Sequence, residues 1–320
     1  MSGRAPAVPE IAAAPPPGRL ARAFDSDVFY SFRRSPVAIV SAVVVLACVL
    51  GAVLAPLIAP QNPFDLAGLS LLDSFKPPVF TGSGATWAYP LGTDDQGRDM
   101  LSAIMYGARI SLEVGVSAVL FALVVGVVVG LAAGYLGGVA DAVLMRVADI
   151  QLSFPGFLIA LLVDGVVTAV LPREMHERLE IFVLVFAIGI GRWPQFARTV
   201  RGSALVERGK DYVLAARVIG ISRARIMFSH ILPNVIGPVL IIATLNLGLA
   251  IIDEATLSFL GVGLPPTEPS LGTLINTGNN FLYSGEWWIT ILPGIALVLM
   301  VLSINLFGDW LRDALNPRLR

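Results

Sequence analysis

The sequence predicts an all-α polytopic membrane protein with six transmembrane helices and both termini in the cytoplasm, and three observations carry that prediction. Only 14% of the 320 residues are charged while 56% are hydrophobic, against about a quarter charged in a soluble domain. The apolar residues fall in long blocks. Crossing a hydrocarbon core of roughly 30 Å takes about 20 of them in a helix. Lysine and arginine gather in alternate inter-block segments, as expected when cytoplasmic loops keep positive charge.

Taken in chain order, residues Met1 to Gly18 form an Ala- and Pro-rich tail with Pro15, Pro16 and Pro17 in a row, too poor in large apolar groups to pack. From Arg19 to residue 35, Leu20, Phe24, Val28 and Phe32 recur every four residues among Arg and Asp. That spacing predicts an amphipathic helix along the membrane surface; the alternative is a plain linker. The first span runs from Pro36 to Ile58. More than thirty residues precede it and further spans follow, so it reads as an uncleaved anchor rather than a signal peptide. A Pro- and Gly-rich outside loop, Ala59 to Met105, is too polar for lipid and is expected to pack as a small cap.

The second span, Ile110 to Tyr135, carries Ala118, Ala122, Gly126, Gly130 and Gly134 at every fourth position. Such a stripe lets another helix backbone approach closely, within the chain or across a subunit boundary. The third span runs from Ala142 to Val170. The fourth, Ile181 to Arg198, is short and interrupted by Gly189 and Gly191. The fifth, Asn234 to Gly261, ends beside Asp253 and Glu254, and the sixth runs from Trp287 to Trp310. A charge at the bilayer centre costs about 2.5–3.5 kcal/mol on insertion scales, so Asp253 and Glu254 should face protein or water. They read equally as pore or gate groups and as anchors fixing the outer loop. Asp149 and Asp164 in the third span raise the same question, with Arg146 or a backbone amide as the nearby partner for Asp149.

The orientation follows from the cations. Arg4, Arg19, Arg22, Arg33 and Arg34, then Arg201, Arg208, Lys210, Arg217, Arg223 and Arg225, then Arg312, Arg318 and Arg320 fall on one side. The other side has Lys76, Arg98, Arg173 and Arg178, and Val262 to Glu286 has none. A net charge of −1 gives no field for nucleic acid. The single cysteine, Cys48, excludes a disulfide within the chain, and His176 and His230 lack metal-ligand spacing. A P-loop is absent too: Lys76 precedes Pro77, and Gly209-Lys210 is followed by Asp211 with Ala204 where the first glycine belongs. Any ATP chemistry must therefore come from another chain.

The most informative stretch is the long basic segment from Ser203 to Pro233. Tyr212 to Gly220 reads as a short helix whose Ala215, Ala216 and Gly220 give a smooth surface beside Val213, Leu214 and Ile219. Gly220 can end it in a left-handed cap, and the Ser222 hydroxyl can cap a second helix leading into Ile226-Met227-Phe228. Physics alone leaves two outcomes open, a helix docked in a groove on another protein or a loop packed on its own bundle.

This segment resembles the cytoplasmic loop of ABC-importer permeases, E-A-A, three residues, G, nine residues, I-x-L-P. Ala215, Ala216, Gly220, Leu232 and Pro233 match; Leu214 stands in place of the glutamate and His230 in place of the isoleucine. A polar contact with the ATPase that the signature implies thus has no carboxylate here. Leu91 to Asp99, Tyr106 to Leu112, Phe154-Pro155, Ile231 to Asn234, Asp253 to Gly261 and Asn305 to Arg318 resemble the C-type second permease of dipeptide, oligopeptide and nickel importers. The likeness runs from about Phe32 to the C-terminus, with the stretch from Asp164 to Glu180 as a local insertion.

The resemblance implies a type I importer permease fold, with residues 106–320 as the core and 203–233 as the coupling loop. It implies a bacterial inner-membrane location and a non-catalytic role. It further implies a homologous second permease, two ATPase subunits that bind the ATP and magnesium, and an extracytoplasmic solute-binding protein. Peptides are the expected solute, ahead of nickel chelates, glutathione and opine- or sugar-derived compounds. No substrate-contacting residue follows from it. A proton-coupled transporter relaying through Asp149, Asp164, Asp253 and Glu254 would usually have internal repeats and gives no reason for the Ala-Ala-Gly loop. A membrane scaffold would use the loop only for attachment.

Overall fold

The computed structural model of the protein describes residues 27–65, 69–82, 84–264 and 269–315. The expected tail and the first part of the surface helix, with Leu20 and Phe24, lie outside the described residues, as do Arg318 and Arg320. Helix α1 (Asp27–Arg34) is the described part of that surface helix; it sets Phe32 edge-on against Trp310, with 5.0 Å between ring centroids. The Ser35 hydroxyl then accepts from the Ala38 amide, and Pro36, which needs no donor partner there, opens α2 (Pro36–Val53).

The longest element, α3 (Met100–Leu136), has 37 residues and spans about 55 Å. It starts at Met100 rather than Ile110 because the Asp99 carboxylate accepts from the Ser102 amide at 2.8 Å and caps it. Residues 70–82 and 84–99 fold over this end as a polar cap. There the Asp94 carboxylate accepts from the amides of Gln96 and Arg98, each at 2.9 Å, and from the Arg98 side chain at 2.6 Å. Gly97, at φ +76°, sits where a Cβ would fall 2.3 Å from the Ser70 carbonyl oxygen, so only glycine fits that turn.

The third span departs from the continuous helix Ala142 to Val170. It consists of α4 (Gly138–Leu152) and α5 (Gly156–Val170), bent by 92° at Ser153-Phe154-Pro155. Pro155 supplies no amide donor and pushes the preceding residue out of the helical region, which breaks the ladder there. The fourth span departs in the other direction. Gly189 and Gly191 do not interrupt it; α6 runs unbroken from Arg173 to Glu207, through Pro194. The segment Asp164 to Glu180 forms the end of α5 and the first turns of α6.

Helices α3 and α6 make the most extensive pair in the molecule. Ala118, Ala122, Gly126, Gly130 and Gly134 are all buried. A Cβ on Gly126 would stand 2.4 Å from the Phe196 Cβ, and one on Gly130 2.5 Å from the Ala197 carbonyl oxygen. The small-residue stripe is thus a seam within the chain. Gly189 answers from α6, where a Cβ would meet the Ala118 carbonyl oxygen at 3.0 Å.

After α6 come α7 (Asp211–Val218), a turn at Arg223–Arg225, a π-helical turn Ile226–Ile231 and α8 (Leu232–Phe259). A short helix, α9 (Leu271–Asn279), lies in the segment read as an outside loop, and α10 (Trp288–Leu315) closes the bundle. Five of these helices, or six spans with the bent pair counted as one, are long and apolar enough to cross a membrane. Val40, Val43 and Leu50 on α2, Leu162 and Val166 on α5, and Val298 and Leu302 on α10 face outward, an apolar belt that suits lipid.

Candidate functional site

At the end of the bundle away from the cap, α7 stands as a short ledge. Gly220, at φ +80°, donates to the Arg217 carbonyl, and Ile221 donates back to Ala216 at 3.0 Å, the paired bonds of a glycine-terminated helix. Ser222 follows at the next helix start, but its side chain makes no capping bond; the sequence expectation of a hydroxyl cap fails there. The matched residues divide by face. Ala216 is buried against the core with Val213, while Ala215 and Gly220 are exposed. Leu214 is 45% exposed, Ile219 74% and Val218 87%, forming an uncovered apolar edge. Leu232 packs on the core and Pro233 lies in the first turn of α8, where its missing amide costs nothing.

The ledge is fixed by a network that the sequence did not reveal. The Tyr212 hydroxyl donates to Glu207 Oε2 at 2.5 Å, Lys210 Nζ donates to Glu207 Oε1 at 2.6 Å, and Asn234 Nδ2 donates to the Tyr212 oxygen at 3.1 Å. Burial and the Glu207 carboxylate push the Tyr212 hydroxyl up to about 12, so it stays a donor at any physiological pH. Arg208 donates to the Gly134 carbonyl at 3.0 Å, and the Arg217 guanidinium lies 4.8 Å from the Tyr135 ring centroid. These contacts tie α7 and the loop before it to the ends of α3, α6 and α8.

The two neighbouring carboxylates part company. Glu254 is fully buried, accepts from Ser258 Oγ at 2.7 Å, and lies near the hydroxyls of Ser111 and Ser270. It joins α8 to α3 and to the start of α9. Asp253 points the other way and holds Arg192 of α6 at 2.5 Å. Arg192 also reaches Asn246 Oδ1 at 3.4 Å, while its Nε has no hydrogen-bond partner among the described residues. Asp149 pairs with Arg198 rather than with Arg146, and Asp141 receives two bonds from Arg201. Three arginines of α6 thus face carboxylates on α4 and α8. Beside the Arg192–Asp253 pair, at the break between α4 and α5, lies a cavity of about 240 Å³ walled by Phe154, Phe157 and Gln195. Among the described residues no three His, Cys, Asp or Glu side chains converge as a metal site.

Residues 126–320 match the model of the binding-protein-dependent transport system inner membrane component, and residues 25–78 match that of the N-terminal TM domain of oligopeptide transport permease C. The first match covers the ledge, both carboxylates and the seam from Gly126 onward. The chain belongs to the binding-protein-dependent transport permeases. This permease is 36% identical to the dipeptide transport system permease protein of Haemophilus influenzae, over 92% of its own length and 95% of that chain. It is 40% identical to the corresponding protein of Escherichia coli, over 92% and 93% of the two chains. In fold, the permease resembles a chain of the MetNI methionine ABC transporter in an inward-facing conformation, with a TM-score of 0.51 and 19% identity over 66% of this chain and 94% of that one. It is a multi-pass inner-membrane protein and a permease subunit of an ABC importer.

Proposed function

We propose that this permease forms half of the translocation pore of an ATP-driven importer of short peptides, paired with a homologous permease and fed by an extracytoplasmic solute-binding protein. Of the two ATPase subunits, which hold the ATP and magnesium, one docks on the ledge from Leu214 to Gly220, and that end of the bundle is cytoplasmic. The observation that carries this reading is the apolar edge of Leu214, Val218 and Ile219, left exposed by the described residues of its own chain on the end where arginine is concentrated. Peptide as solute follows the names of the dipeptide relatives. ATP binding drives the motion only insofar as it favours the closed ATPase dimer over the open one; the Glu207–Tyr212–Asn234 network then passes that preference to α6 and α8, and the Arg208 and Arg217 contacts pass it to α3.

The test is Val218→Glu, which puts a charge on the most exposed apolar side chain of the ledge. Tagged wild-type permease should recover a second permease and an ATPase from its host membrane, with hydrolysis stimulated by peptide-loaded binding protein. The variant should insert and pair with the second permease yet lose the ATPase. Full ATPase recovery and normal uptake in the variant would remove the docking role.

A further inference from the structure

The cavity at the break between α4 and α5 combines features that a purely structural joint does not need. Arg192 and Asp253, paired directly with each other, both line it, and both lie within the membrane-spanning bundle. A buried ion pair seldom stabilises a protein more than apolar side chains of the same volume, so a joint between α6 and α8 alone would be as well made without it. Nor is the pair complete. A guanidinium has five N–H donors, and here one bond to Asp253 is short, one to Asn246 is stretched to 3.4 Å, and the buried Nε–H has no partner among the described residues.

The backbone adds positive character. Helix α5 begins at Gly156 with no side chain capping its first amides, and a helix N-terminus carries about half a positive charge. Asp253 Oδ2 lies 3.8 Å from where a Gly156 Cβ would stand, and a Gly191 Cβ would lie 3.4 Å from the Gly156 carbonyl oxygen. With neither side chain present, this backbone borders the cavity. One guanidinium and one helix terminus therefore face one carboxylate, an excess of positive charge that suits an anionic group on a ligand. Phe154 and Phe157 supply an apolar wall. The volume of about 240 Å³ falls just below the range of about 300–1,000 Å³ typical of small-molecule pockets, a size for the ends of a short chain. Broken helices line solute sites in membrane transporters because the exposed backbone is tolerated only beside protein or water.

We propose that this cavity is a solute subsite on the transport path, built for a zwitterion. Arg192 and the first amides of α5 receive a carboxylate, and Asp253, freed from the arginine, receives an ammonium. The free C- and N-terminal groups of a short peptide are that ligand. The inference rests on the peptide-import reading above and gives it a recognition element inside the membrane, separate from whatever selection the binding protein makes. When the pathway is empty the two side chains neutralise each other; when a peptide arrives, its ends replace each partner.

The experiment uses the complete transporter in liposomes with its binding protein, loaded in turn with a free-ended dipeptide, its C-terminal amide and its N-acetyl form, each verified to bind that protein. Uptake and stimulated ATP hydrolysis are read for wild type, Arg192→Gln and Asp253→Asn. Wild type should favour the free-ended peptide. Arg192→Gln should lose at least about tenfold for the free-ended peptide but little for the amide, and Asp253→Asn should do the same relative to the N-acetyl form, since truncating one member of a buried charge contact is costly. Equal losses for all three solutes, or none, would make the pair a structural joint and overturn the proposal. A wild-type transporter that moves no peptide in any form would instead remove the import reading itself. If either variant fails to assemble, Gln195→Cys in a Cys48→Ser background decides. Thiol labelling there should slow at least threefold during turnover with free-ended dipeptide and stay unchanged with the doubly blocked form; identical labelling with both overturns the proposal.

Discussion

Replacing Gly130 with alanine adds one methyl group to the α3–α6 seam. The new Cβ would stand 2.5 Å from the Ala197 carbonyl oxygen and 2.7 Å from the Val200 Cβ. Ordinary contact begins at 3.4 Å, so the helices must separate by about 0.9 Å at that level. Neither neighbour can yield alone, because the oxygen is backbone and the Val200 Cβ is rigidly tied to its helix. Overpacking of this kind costs about 1–3 kcal/mol. A gap approaching 1 Å along the remaining seam forfeits a quarter to a half of the local dispersion energy, roughly, at each contact it opens. Alanine's higher helix propensity, about 1 kcal/mol over glycine in water, offers little relief because membrane helices form before they associate. Trp193 sits on the same seam, its carbonyl oxygen 2.8 Å from where a Gly126 Cβ would lie, and its fluorescence reports separation during denaturation in mixed micelles. Gly202→Ala on α6 is the control, since nothing lies within 4 Å of its Cβ position. Gly130→Ala should unfold about 1–3 kcal/mol earlier than this control, and Gly126→Ala with Gly130→Ala should cost less than the sum, the first methyl having already parted the helices. Equal stability of Gly130→Ala and Gly202→Ala would refute the close-packed seam.

Three other outcomes follow from the cap and the ledge. Arg98→Met leaves the buried Asp94 carboxylate without its cation and should destabilise the cap by about 3–5 kcal/mol, read as accelerated proteolysis between residues 70 and 99 with the bundle intact. Tyr212→Phe removes the hydroxyl that donates to Glu207; for this half-exposed group the loss should be about 1 kcal/mol, or roughly fivefold faster amide exchange confined to Asp211–Val218. The Lys76 ammonium beside Asp73 holds its carboxyl below the usual carboxylate range. That contribution is complete above about pH 4 and fades as pH falls through the lowered value. The difference in melting temperature between wild type and Asp73→Asn should therefore be constant from neutral pH to about pH 5 and close in stronger acid; a pH-independent difference would show that the charge of Asp73 is immaterial.

The spans were legible because the bilayer imposes a length on apolar blocks, and the glycine stripe because a four-residue period places it on one face of α3. The bend was not read, although Pro155 stood in plain view, since a continuous apolar block from Ala142 to Val170 satisfied the length criterion without it. In α6 the error ran the other way: Gly189 and Gly191 looked like interruptions and are contact points for Phe121 and Gly156. The short helix from Tyr212 to Gly220 was legible in its small and apolar residues, whereas Leu232 and Pro233 entered only through the resemblance. Arg192 did not, because its partner Asp253 lies 61 residues away and nothing local distinguishes it from a charge at a helix end. Glu207 and Tyr212 escaped notice for the same reason; their bond gains meaning only when Asn234 arrives from the next helix.

The bent third span also bears on how the chain is made. Each half is 15 residues, about 22 Å of helix, too short to cross alone, and α4 carries Asp141, Arg146 and Asp149. The counter-ions for its two aspartates are on α6, so Asp141 emerges from the ribosome 60 residues before Arg201. At about 5–20 residues per second this is a wait of roughly 3–12 s. Through that interval the segment has no stable place in lipid and must linger at the membrane surface or inside the insertion machinery. Helices α4, α5 and α6 should therefore enter the bilayer as one late unit, and a pause in translation before Arg201 would strand the nascent chain at its most vulnerable point.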